Sequence, residues 1–125
     1  MKIAVIIVRI LMGSMFAFAS IAFFFKLMAE PAQTGSVKIF MEGIAASVYL
    51  MPTVKIFELL CAIAFLSGRF VPLATVVIFP IMLNILLYHA FLDTSGLPMA
   101  VVLMLGNLFL AYSNLDKYKA ILAAK

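Results

Sequence analysis

Charge is scarce in this chain, with 5 acidic and 9 basic residues among 125 against 67% hydrophobic residues. Soluble domains carry about a quarter charged and about half apolar residues, so a water-soluble globule is excluded and a membrane protein is expected. A basic stripe is missing too: the net charge of +4 comes from Lys and Arg residues that punctuate apolar runs. That pattern reads as a topology signal and leaves no footprint for nucleic acid. The single cysteine, Cys61, rules out an intramolecular disulfide and a CxxC redox pair. The single histidine, His89, rules out a bis-histidyl haem within one chain, and no cluster of His, Cys and carboxylates has metal-ligand spacing. Linkers, low-complexity tracts and internal repeats are also lacking, which leaves one domain.

Four apolar runs make up most of what is present, at about residues 3–28, 47–67, 71–92 and 97–112. Each approaches the roughly 20 residues that a helix needs to cross a bilayer core of about 30 Å. Lipid cannot satisfy strand edges, so these spans are expected to be helices. The N-terminal MKIAVIIVRILMGSMFAFAS also has the form of a signal peptide, with Ala17-Phe18-Ala19 as its cleavage site. Arg9 interrupts what would be the uncharged core, however, and apolarity continues through IAFFFKLM, so a retained span is expected.

Between spans one and two, Pro31 and Gly35 break the first helix and Ser36 is an N-cap candidate. Val37, Phe40, Met41, Ile44 and Val48 recur at helical spacing opposite Lys38 and Glu42, which predicts a short interfacial helix over about 36–46. Ser67-Gly68-Arg69-Phe70 leaves room for a tight turn before Pro72, and Asp93-Thr94-Ser95-Gly96 turns the chain before Pro98. Short connections place successive helices antiparallel. The expected fold is therefore all-α: an integral membrane four-helix antiparallel bundle with a short interfacial helix between spans one and two. The tail NLDKYKAILAAK is expected to continue as a helix along the membrane surface.

Orientation follows from the basic residues. The side bearing the termini holds Lys2, Arg9, Arg69, Lys117, Lys119 and Lys125, whereas the other holds Lys26 and Lys38 beside Glu30, Glu42 and Asp93. Both termini are expected in the cytoplasm, with the chain in the cytoplasmic membrane.

Depth then ranks the polar residues. Glu58, Asn84 and Asn107 fall near mid-membrane on three spans and are expected to form one layer. Lys55 lies one turn from Glu58 on the same helical face. A central charge costs roughly 2.5 to 3.5 kcal/mol on insertion scales, so both residues should face the bundle interior and be paired. Arg9 has the reach to approach Glu58 or the cytoplasmic interface. His89, Tyr49 and Tyr88 lie near the outer boundary. Pro80 cannot donate to the carbonyl of Val76, which predicts a kink, and Asn84 one turn later predicts that this side faces inward.

Glu58, Lys55 and Arg9 read either as a structural ion-pair set or as a ligand or proton site, and both readings stay open. His89 reads as a proton relay or as a wetted residue of the aromatic belt. Cys61 reads as a small buried apolar residue.

Arg9-Ile-Leu-Met-Gly13 with Phe16 and then Lys26-Leu27 resembles the RxxxGxxF…KL opening of the DoxX family of small four-helix membrane proteins. Glu58-Leu59-Leu60 and Leu66-Ser67-Gly68-Arg69 resemble that family's ELxxG…LGL second span, and the likeness covers nearly the whole chain. Ser20 stands where the family often has glycine, and Cys61-Ala62 replaces its small or glycine pair. The resemblance implies a multipass protein of the cytoplasmic membrane linked to quinone-coupled or oxidoreductase systems. Its expected role is an accessory or quinone-associated subunit, not a self-contained enzyme, with a membrane or peripheral oxidoreductase as partner. The cofactor stays open, and quinone is the one that the resemblance suggests. Two alternatives remain: a small proton-coupled transporter and a scaffold without ligand. Small multidrug transporters carry their glutamate in the first span, and this first span has none.

Overall fold

The computed structural model of the chain describes residues 2–27 and 32–124. The expected end of span one at Met28, the helix break at Pro31, and Glu30 and Lys125 of the charge count lie outside those residues. Six α-helices follow in order: α1 (Lys2–Phe25), α2 (Gly35–Ala46), α3 (Leu50–Ser67), α4 (Val71–Phe91), α5 (Leu97–Ser113) and α6 (Lys119–Leu122). Two 3-10 turns, Thr94–Gly96 and Leu115–Tyr118, precede α5 and α6. No strand occurs among the described residues. The four long helices α1, α3, α4 and α5, the last with its leading turn, are long and apolar enough to cross a membrane. The chain is an all-α multipass membrane protein.

The helices form a closed ring in which α1 packs on α3, α3 on α4, α4 on α5 and α5 on α1. Sequence neighbours are antiparallel, so the N-terminus, the α3–α4 turn and the tail share one end of the bundle, here the terminal end. The α1–α2 connection, α2 and the α4–α5 turn share the other, here the α2 end.

Local chemistry sets the helix ends. At the terminal end Gly68 closes α3 in the left-handed region at φ 77° and donates its N–H to the carbonyl of Ala64. A glycine adopts that conformation without a Cβ clash. Phe70 follows at φ 60°, and Pro72 stands at the start of α4, where a missing N–H costs nothing. At the α2 end the carboxylate of Asp93 accepts hydrogen bonds from the Ser95 N–H at 3.3 Å and its hydroxyl at 2.5 Å.

Four local expectations are corrected. α2 begins at Gly35 behind Thr34, which makes no side-chain cap bond, so Ser36 is inside the helix and not its cap. Val48 lies beyond α2 at φ 70°, so it ends the apolar stripe instead of extending it. α3 starts at Leu50, three residues later than the apolar run, because the chain must first turn at Ser47–Tyr49. The tail is not a continuous helix: α5 stops at Ser113, and the following 3-10 turn buries Tyr118 in the bundle.

Met12, Cys61, Ala62, Phe65, Val71, Ala74, Ile78 and Leu110 pack through the middle and the terminal half of the bundle, and Phe16, Met82, Leu103 and Met104 carry the same cluster towards the α2 end. Gly13 allows this: a Cβ there would come within 2.8 Å of the Leu66 side chain and 3.2 Å of the Ala62 carbonyl. Small residues let helix backbones approach where lipid supplies no hydrophobic drive to associate. Cys61 sits in this core with its thiol 3.7 Å from the Ala74 carbonyl.

Candidate functional site

At the α2 end the four long helices leave a cavity of about 790 Å³. Met15, Phe16, Phe18 and Ala19 of α1 form one wall, and Leu50, Met51, Val54, Lys55 and Glu58 of α3 the next. Pro80, Ile81, Asn84, Ile85, Tyr88 and His89 of α4 face them, with Met99 and Leu103 of α5 behind. Phe40, Met41 and Ile44 of α2 close the remaining side. The lining is therefore apolar except for one strip on α3 and one on α4.

The α3 strip is an ion pair. Lys55 Nζ lies 2.9 Å from Glu58 Oε2, and the two side chains are 19% and 4% exposed. Glu58 stands eight residues into α3, about 12 Å along the helix axis and close to its middle. Its Oε2 is buried and has no aligned hydrogen-bond donor, so Lys55 satisfies it by charge alone. A buried carboxylate held by one ammonium keeps unused acceptor capacity, because ionised Glu accepts at up to four lone-pair sites. Lys55 likewise has three N–H donors and, among the described residues, a single carboxylate partner.

The α4 strip runs from Asn84 to His89. Pro80 and Asn84 share the cavity-facing side of α4, as their spacing predicts. Tyr88 packs edge-on against His89 with ring centroids 5.0 Å apart. His89 Nδ1 lies 3.0 Å from the backbone carbonyl of Asp93. That carbonyl can only accept, so Nδ1 carries the proton in the neutral ring. Gly96 lies against the imidazole edge, where a larger residue would occupy the space of the ring.

Of the residues singled out from sequence, Glu58, Lys55, Asn84 and His89 meet at this cavity and Arg9 and Asn107 do not. The guanidinium of Arg9 lies against Gly68, with Nη1 2.8 Å from where a Cβ would stand. It thus takes the terminal-end alternative and, among the described residues, pairs with no carboxylate, and its Nε is buried without a hydrogen-bond partner there. Asn107 shares the depth of Glu58 but faces another way: its amide donates to the Thr75 carbonyl at 3.2 Å. The expected single layer is thus split in two. Around Asn107 the structure builds a second buried polar group, in which the Thr75 hydroxyl bonds the carbonyl of Pro72 at 2.7 Å and also the Tyr118 hydroxyl.

Thr75 and Tyr118 were not singled out from sequence. The apolar spacing of Leu115, Tyr118 and Ile121 in the tail was the available signal, and it fits a docked turn as well as a surface helix. The contribution of Phe40 to the cavity wall could be read only as an apolar face. Among the described residues no group of three His, Cys, Asp or Glu side chains is placed to hold a metal ion.

Comparison with family models, with curated proteins and with solved structures finds no match to this chain.

Proposed function

We propose that the chain binds a quinone in this cavity and serves as an accessory subunit of a redox system in the cytoplasmic membrane, with both termini in the cytoplasm. The observation that carries the reading is that Glu58 and Lys55 border an unfilled apolar cavity instead of a packed core. A charge pair that merely fixed helix register would gain most from being enclosed, since an adjacent void forfeits contacts. Most ligand sites are apolar clefts with a few convergent polar groups, which describes this one. A quinone suits it chemically: the rings and prenyl carbons meet Phe, Met and Ile side chains, and a carbonyl oxygen accepts from Lys55 or the Asn84 amide. Glu58 compensates the ammonium, so the site favours a neutral head group over a free cation. The DoxX-like motifs around Arg9 and Glu58 support the redox assignment, and the basic residues on the terminal side support the orientation.

The test is extraction and quantification of quinones from protein purified in mild detergent, with Lys55→Met and Glu58→Gln alongside. The expected result is near-stoichiometric quinone in the parent and at least a tenfold loss in Lys55→Met, at a folded yield confirmed by circular dichroism. Quinone retained equally by both variants would remove the cavity from the assignment. Proton-coupled flux of a lipophilic cation through liposomes, with no quinone bound, would favour a transporter in its place. Neither binding nor flux would favour a scaffold.

A further inference from the structure

The wall that α2 contributes to the cavity is built unlike the others. None of its twelve residues is buried, whereas each of α1, α3, α4 and α5 has at least four buried side chains. Its one aromatic anchor is Phe40, whose ring centroid lies 5.5 Å from that of Tyr88 on α4. Phe40, Met41 and Ile44 face the cavity, while Lys38 and Glu42 pair at 3.9 Å on the exposed side. Both ends of α2 carry left-handed backbone, at Gly35 with φ 62° and at Val48 with φ 70°. A β-branched residue at positive φ is strained, and such positions persist where surrounding structure holds them. Val48 is 81% exposed, so side-chain burial does not hold it there.

We propose that α2 is a lid over the cavity, latched to α4 by Phe40 on Tyr88 and swinging about Gly35 and the Ser47–Tyr49 turn, which admits a lipophilic molecule from the membrane interface. The four long helices form the frame, and α2 is the one wall of the cavity with no buried residue, which places it at the low-stability end of the structure. An amphipathic helix of this kind has a second resting place for its apolar face in the headgroup region of the bilayer. Opening therefore exchanges one apolar surrounding for another, and its cost is small compared with unfolding any long helix. The lid does not depend on the identity of the ligand and stands apart from the redox assignment.

The experiment reads thiol access and needs no ligand. Val54→Cys places a thiol on the α3 wall of the cavity, and native Cys61 in the closed core serves as the internal control. N-ethylmaleimide labelling of each site is followed by peptide mass spectrometry on the full chain in liposomes. Adding Phe40→Ala is expected to accelerate labelling at position 54 by about tenfold, the population shift that follows loss of an aromatic contact. Adding Gly35→Ala instead strains a hinge whose Cβ would meet nothing within 4 Å, and it should accelerate the same labelling several-fold without altering a cavity residue. Cys61 should stay unlabelled throughout. Unchanged labelling at position 54 in both variants would overturn the lid. So would simultaneous labelling of Cys61, because the opening would then be a loosening of the whole bundle.

Discussion

The two ends of this bundle treat the same problem, polar groups among apolar helices, in opposite ways. Towards the terminal end Asn107, Thr75 and Tyr118 are buried and bond to one another or to backbone carbonyls. Asn107 Oδ1 and Arg9 Nε are enclosed there without a partner among the described residues, and Phe65, Ile78 and Leu110 leave no cavity beside them. At the α2 end Glu58 and Lys55 are paired but stand beside a void, and Asn84 faces it. The terminal end closes with Gly13, Gly68 and a docked tail; the α2 end closes with a helix that buries none of its residues. Both ends keep a buried polar atom without a hydrogen-bond partner among the described residues, so what separates them is packing. Close contact is what stability requires, and unused hydrogen-bonding capacity beside a cavity is what a binding site requires. Within one ring of four helices, the first end acts as a clamp and the second as a receptacle.

The largest expected effect tests that division directly. Phe65 is fully buried in the terminal core, whereas Ile85 lines the cavity and is half-buried. Phe65→Ala should cost about 3 to 5 kcal/mol, since it leaves a hole that rigid neighbours cannot fill. Ile85→Ala enlarges an existing space and should cost about 1 kcal/mol, the dispersion contacts of the deleted atoms alone. Thermal unfolding in detergent compares the two. Equal losses would mean that the α2 end is as tightly filled as the terminal end.

A smaller effect comes from glycines on either side of the division. Gly13→Ala drives a methyl group against Leu66 and the Ala62 carbonyl, and overpacking of this kind costs about 1 to 3 kcal/mol. Gly43 on α2 has nothing within 4 Å of its missing Cβ. Gly43→Ala should gain roughly 0.5 to 1 kcal/mol of local helix stability, which is the intrinsic preference for alanine in an exposed helix. Hydrogen exchange of the α2 amides reads the gain, and unfolding of the whole bundle reads the loss. Slower exchange in α2 with no change in global unfolding would sharpen the view of α2 as a separate unit.

What the sequence revealed divides along the same lines. The spans, their order and the α2 segment were legible because hydropathy and helical period are written in consecutive residues. Glu58 and Lys55 were legible because a charge inside an apolar run demands a partner, and three-residue spacing supplies one. Asn107 was placed at the right height but assigned the wrong neighbours. Depth follows from counting along a helix, whereas facing depends on rotation, and a helix apolar on all sides such as α4 gives no hydropathy signal for it. Arg9 had two destinations within reach of its side chain, and the absence of a side chain on Gly68 made room at the second. The cavity was not legible, because a void is the sum of contacts that four helices fail to make, and no single residue encodes it.

The smallest expected effect belongs to the loop at the α2 end and concerns pH. The side-chain hydroxyl of Ser95 donates to the carboxylate of Asp93, and with the Ser95 N–H and nearby His89 it holds the Asp93 pKa below its ordinary value, against a smaller opposing effect of desolvation. A carboxyl group with a depressed folded pKa binds its proton more readily in the unfolded chain. Its contribution is therefore present above the ordinary aspartate value of about 3.9 and is lost as pH falls through the lower folded value. The same carboxylate caps the turn that sets Gly96 against His89, so the effect should appear in the turn as well as in global stability. Ser95→Ala removes the largest of these influences and leaves the backbone N–H and the imidazole in place. The Asp93 carboxyl resonance, followed by NMR between pH 6 and 2.5, should titrate at higher pH in Ser95→Ala than in the parent. The acid-induced drop in melting temperature should shift in the same direction, while the Phe65→Ala penalty should not vary across this range. A parent Asp93 that titrates at or above the ordinary value would show that the hydroxyl does not hold the carboxylate, and the turn before α5 would lose its side-chain cap.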